Sequence, residues 1–153
     1  MVSWLFRTLP TVRVLIHHLE TGLAPLADLL VRLALFLIFF SAGIYKLEDW
    51  PGTLAHFQSD YQVPLLPYVS AAVMAASDEL VAALLVLIGL GARLAALPLL
   101  AQALVIQYGL GPLYHTAEHQ LWIVLLLLLI ARGPGTISFD HAIRRRLLGP
   151  EPL

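Results

Sequence analysis

Residues 25–45 read PLADLLVRLALFLIFFSAGIY. As a helix, a run of this length spans the ~30 Å hydrocarbon core of a bilayer, which needs about 20 residues. Three more runs follow, at about 67–90, 92–109 and 113–131. The third is the shortest, and Pro98 near its start marks a first turn or a kink. In lipid a segment must satisfy its own backbone polar groups, so these runs are helices or barrel strands. The unbroken Leu125–Leu129 run does not alternate as a barrel strand must. The expected fold is an all-α membrane protein. It is a four-transmembrane-helix bundle flanked by N-terminal and C-terminal cytoplasmic amphipathic helices.

Composition agrees. The 153 residues allow one domain. Hydrophobic residues make up 59% and charged residues only 12%, against about 25% charged in a soluble domain. That is too little charge to solvate the surface of so short a chain, and too much apolar matter for disorder. The net charge of -1 gives no electrostatic footprint for nucleic acid. Without cysteine there is no disulfide exchange, no covalently held c-type haem and no thiolate metal site.

Positive charge sets the expected orientation. Arg7 and Arg13 precede the first run, Arg93 separates the second from the third, and Arg132 and Arg144–Arg146 follow the fourth. With four spans all of them fall on one side, and Lys46 stands on the other beside Glu48, Asp49 and Asp60. The positive-inside rule then makes both termini cytoplasmic. Residues 1–24 are read as a retained, interfacial amphipathic segment. Leu5, Leu9, Val12, Ile16, Leu19 and Leu23 form its apolar face. Residues 25–132 form the transmembrane domain and 133–153 a basic segment. In the basic segment Ser138 caps a short helix bearing Phe139, Ile143 and Leu147. Asp49-Trp50-Pro51 starts another short helix in the outer loop, carrying Leu54 and Phe57.

The runs contain polar groups that lipid does not tolerate without reason. Arg32, Asp78, Glu79, Gln102 and Gln107 lie within them, and Lys46, Glu118 and His119 lie near their outer ends. Counting inward at 1.5 Å per residue places Arg32 ~21 Å below Lys46 and Glu79 ~18 Å below Pro67. On that count Arg32 and Glu79 can meet, with Gln102 close by. The pair is then either a structural clamp or the floor of a polar pocket for a ligand or protons. Asp78 is turned about 100° from Glu79 and shares no face with it.

His115, Glu118 and His119 match an HxxEH zinc pattern, with His56 as a third metal ligand. The favoured reading is structural, because Thr116 caps the fourth helix and Glu118 complements its dipole. Tyr45, Tyr61, Tyr108 and Tyr114 gather near the same rim. With Lys46 and the histidines they suit the head of an aromatic or quinone-like ligand.

Three groups of residues resemble the DoxX family of small bacterial inner-membrane proteins. The first is Arg32 with Ser41-Ala42-Gly43-Ile44-Tyr45-Lys46-Leu47. The second is Glu79-Leu80 with Leu87-Ile88-Gly89-Leu90-Gly91-Ala92-Arg93, and the third is Gly133-Pro134-Gly135-Thr136-Ile137-Ser138-Phe139-Asp140. The resemblance implies a four-helix bundle with Arg32, Lys46, Glu79 and Arg93 as marked positions. It implies function loosely, since relatives include subunits of thiosulfate:quinone oxidoreductase and members of oxidative-stress complexes.

The leading expectation is a multi-pass protein of the bacterial inner membrane serving as a subunit of a quinone-linked oxidoreductase or redox-stress complex. It has no self-contained catalytic motif. Its ligand pocket is formed by Arg32, Lys46, Asp78, Glu79, Gln102, Gln107, Glu118 and His119, with quinone as the ligand. Its partners are the bilayer, oxidoreductase subunits or further copies of itself, and no nucleic acid. The alternatives are a transport or export partner for a small ligand, metal or modified peptide, and a membrane scaffold acting through Arg144–Arg146.

Overall fold

A computed structural model describes residues 14, 19–61, 66–110 and 115–149. Every regular element among them is helical. A π-helical turn, Leu19–Leu23, leads into α1, Ala24–Glu48, with Pro25 in the first turn where its missing N–H costs nothing. Asp49 ends α1 and caps α2, Trp50–Ser59, by accepting from the Gly52 N–H at 3.0 Å. The outer-loop helix expected from Asp49-Trp50-Pro51 is therefore present. Next comes α3, Tyr68–Ile88, whose middle residues Asp78–Ala82 are π-helical. It stops at Gly89, which has a φ of 70° that suits glycine. α4, Ala92–Gly109, contains Pro98 and closes in a third π-helical segment, Val105–Gly109. Thr116 caps α5, Ala117–Arg132, and Ser138 caps α6, Phe139–Leu148.

Helices α1, α3 and α4, of 25, 21 and 18 residues, are long and apolar enough to cross a membrane. The run at 113–131 is shorter as a helix than as a hydropathy pattern. Thr116 sets the start of α5, leaving 16 helical residues. Most of the expected amphipathic segment 1–24 lies outside the described residues, whereas α6 is present with Phe139, Ile143 and Leu147 exposed.

The core is built from small residues on α4. Ala92, Ala95, Ala96, Leu99 and Ala103 face Leu35 and Phe39 of α1, Val86 of α3, and Ile123, Leu126 and Leu129 of α5. Alanine at this spacing lets helix backbones approach closely, which is how helices associate where lipid removes the hydrophobic drive. Large apolar side chains point outward instead. Leu94, Val81, Val124 and Leu37 are each more than half exposed. A surface of that kind suits lipid and not water.

At one end of the bundle the 133–140 loop folds back as a latch. Arg32, buried in α1, donates to the Leu87 carbonyl at 2.9 Å and to the Ile137 carbonyl. Asp140 accepts from the N–H groups of Gly91 at 2.7 Å and Ala92 at 3.2 Å, and its own N–H donates to the Gly89 carbonyl at 2.9 Å. A Cβ on Gly89 would lie 2.5 Å from Ser138 Cβ and 2.6 Å from Arg32 Nη1, so only glycine admits this approach.

The expected meeting of Arg32 with Glu79 does not occur. Glu79 lies level with Gly43, where a Cβ would be 3.1 Å from Glu79 Cβ, and Arg32 is eleven residues (~16 Å) further along α1. The depth count failed because it placed Pro67 level with Lys46. The first turns of α3 instead continue beyond that level, where Ala71 and Ala72 pack on Phe57 of α2.

Candidate functional site

The charged groups at the Lys46 end converge because of one glycine. Gly43 lets α3 lie directly on α1, since a Cβ there would sit 2.8 Å from Leu80 Cγ. Lys46 follows one turn later on the same face, and its Nζ reaches both carboxylate oxygens of Glu79 at 2.7 Å. Gln102 of α4 donates to Glu79 Oε1 as well. Glu79 is 2% exposed and Lys46 20%, so the pair is largely withdrawn from solvent. Buried ion pairs of this kind need such extra hydrogen bonds to offset desolvation. Gln102 Oε1 is buried without a hydrogen-bond partner among the described residues.

Beside this cluster lies a cavity of about 300 Å³ between α2, α3 and α4. Phe57, Met74, Val105, Ile106 and Leu110 give it an apolar lining, and Tyr61, Lys46, Asp78 and Gln102 supply polar groups. Both internal π-helical segments border it, contributing Asp78 from one and Val105 and Ile106 from the other. Such segments break helical register and recur at functional sites. Small residues also make room, with Ala71, Ala75 and Ala101 on its walls.

Of the residues expected to form the pocket, Lys46, Asp78 and Gln102 line the cavity and Glu79 stands behind them. Arg32 is in the latch at the opposite end. Gln107 is buried and accepts from the Thr116 N–H at 3.2 Å, joining the end of α4 to the start of α5. The His119 N–H donates to Thr116 Oγ1 at 3.2 Å, and its ring lies edge-on to Trp122 at 4.6 Å. Glu118 is exposed. Tyr61, read as a rim residue, is on the cavity wall, whereas Tyr45 and Tyr108 are largely exposed. The contributions of Phe57, Met74 and Ile106 were missed, and the only signal for them was the alanine pattern facing them.

The residues read as metal ligands are separated. His56 Nδ1 is 2.7 Å from Asp60 Oδ2 in α2 and its loop, and the His115 ring faces Tyr108 at 6.0 Å. Among the described residues no three His, Asp or Glu side chains gather as a metal site. The hydrogen bond from His56, then that from Ser59, holds the Asp60 carboxyl below its usual pKa.

Outward-facing leucines, three membrane-length helices and a buried ion pair beside an apolar cavity define a multi-pass helical membrane protein. A family model described as DoxX matches residues 27–111, more than half of the chain. The chain belongs to the DoxX family. No curated protein and no solved structure matches it.

Proposed function

We propose that this protein is a non-catalytic membrane subunit of a quinone-linked oxidoreductase or redox-stress complex, and that the cavity at the Lys46 end holds the quinone headgroup. The observation that carries this is the apolar cavity with one polar wall. A quinone is a flat apolar ring with two carbonyl acceptors, and its reduced form offers two hydroxyl donors. Lys46 supplies a donor at the wall, and the unpartnered Gln102 Oε1 supplies an acceptor for a quinol hydroxyl. Tyr61 and Phe57 meet edge to face at 5.0 Å and give the ring aromatic surface to pack on. Electrons come from a partner that carries the redox group. The volume falls at the lower end of the about 300–1,000 Å³ typical of ligand sites, enough for a headgroup with its tail in lipid.

In this reading α5 is the fourth span, with both termini on the cytoplasmic side of a bacterial inner membrane. Its 16 residues rise ~24 Å beside the longer α4. The concentration of arginine at the latch end supports that orientation.

The test is quinone in an organic extract of protein purified in mild detergent, quantified by mass spectrometry against an unrelated membrane protein. Near-stoichiometric quinone is expected, falling with Gln102→Leu and with Ala101→Phe, which fills the cavity from its lipid-exposed side. Quinone at background level, or undiminished in both variants, refutes the reading.

A further inference from the structure

The latch end holds a second cavity, of about 450 Å³, unconnected with the quinone reading. It lies between the start of α1, the turn into α4, the 133–138 loop and the first turns of α6. Three arginines from three different elements border it: Arg93 of α4, Arg132 of α5 and Arg144 of α6. His141 adds an imidazole.

Two carboxylates, Asp28 and Asp140, also line the cavity, but both are engaged. Asp140 is held by the Gly91 and Ala92 N–H groups at 2.7 and 3.2 Å. Asp28 lies 3.6 Å from Arg132 Nε and close against Gly135. Among the described residues Arg93 donates to the carbonyls of Ala131 and Arg132, at 3.4 and 3.3 Å, longer than an ordinary N–H···O bond. Even counting both carboxylates, the formal charge of the wall is positive with His141 neutral.

We propose that this cavity binds a phosphate group, contributed by an anionic phospholipid headgroup or by free phosphate. Planar guanidinium groups pair with phosphate oxygens two at a time, which suits a site built from arginine rather than lysine. The surroundings point to a membrane-bound source. Leu94 borders the cavity and is 74% exposed, and Phe139, next in sequence to the wall residue Ser138, is 58% exposed. Acyl chains can therefore run down the outside of α4 while the headgroup sits among the arginines. Basic pockets between membrane helices bind anionic headgroups in this manner.

The test uses the full-length protein in mild detergent. Binding of phosphatidylglycerol, phosphatidylcholine and inorganic phosphate is measured by native mass spectrometry and by thermal stabilisation. Arg93→Gln with Arg144→Gln is compared with Arg145→Gln with Arg146→Gln, which removes the same charge from α6 alone and outside the cavity wall. Arg144→Gln by itself, on an exposed face of α6, guards against misfolding of the double variant. The expected result is retention of phosphatidylglycerol over phosphatidylcholine, weakened about tenfold or more by the cavity variants and little by the control. Protection by phosphatidylglycerol alone assigns the site to lipid. Equal protection by inorganic phosphate, lost in the cavity variants, assigns it to a soluble phosphate. No phosphate-dependent effect, or an equal loss in the Arg145/Arg146 control, overturns the proposal.

Discussion

The Lys46–Glu79 pair makes a prediction whose sign follows from unequal burial. At 2.7 Å the attraction is ~6 kcal/mol for an effective dielectric of about 20, most of it offset by desolvation. Lys46→Met leaves Glu79, 2% exposed, as a carboxylate with only the Gln102 amide for company. Stranding a buried charge costs ~3 kcal/mol or more. Glu79→Gln is milder, ~1–2 kcal/mol, because Lys46 is 20% exposed and can turn its ammonium toward water. The double variant has no stranded charge, so its loss should fall short of the sum of the single losses by ~1–3 kcal/mol. Reversible unfolding in mixed detergent micelles, followed by helical circular dichroism, measures all three. If the double variant equals the sum to within about 0.5 kcal/mol, the pair is not coupled and the reasoning from burial fails.

Four further outcomes follow from the same geometry. Gly89→Ala should cost ~2 kcal/mol or more, from its positive φ and from overlap with Ser138 and Arg32. Gly91→Ala, with a φ of 56° and nothing within 4 Å, should cost only ~1 kcal/mol in the same unfolding assay. Gln107→Leu strips the Thr116 N–H of its acceptor, so hydrogen exchange should speed up at the start of α5, with a loss of ~1–2 kcal/mol. The lowered Asp60 pKa gives a pH dependence of definite sign. Asp60 and its partners His56 and Ser59 favour the folded state above about pH 3.9, the ordinary carboxylate value. That contribution fades as acid protonates Asp60. Asp60→Asn should remove this acid limb from a stability profile and change little near neutrality.

Helical membrane spans were legible because bilayer thickness imposes a length and lipid imposes a composition, and residues 25–45 satisfy both. Caps were legible at Asp49, Thr116 and Ser138 because a side chain bonding three residues ahead is a local event. Lys46, Asp78, Glu79 and Gln102 were each legible as polar groups that lipid does not tolerate without reason. Their pairing was not, because register between α1 and α3 depends on Gly43 meeting Leu80. Arg32 shows the limit most clearly. Its partners are the carbonyls of Leu87 and Ile137, and every residue has a carbonyl. The π-helical segments that border the cavity likewise have no residue signature.

The Asp140 cap also fixes an order of events during synthesis. The N–H groups at the start of α4 receive their acceptor from a residue 49 positions downstream of Gly91. At about 5–20 residues per second, the ribosome takes ~2–10 s to deliver it. Throughout that interval the first turn of α4 has no Asp140 carboxylate to accept from its N–H groups, and Arg32 still lacks the Ile137 carbonyl. A nascent chain stalled before Asp140 therefore holds all three membrane-length helices with one end of the bundle unfastened. Such a chain can be told from a finished one by any protease or chaperone that reads exposed helix ends.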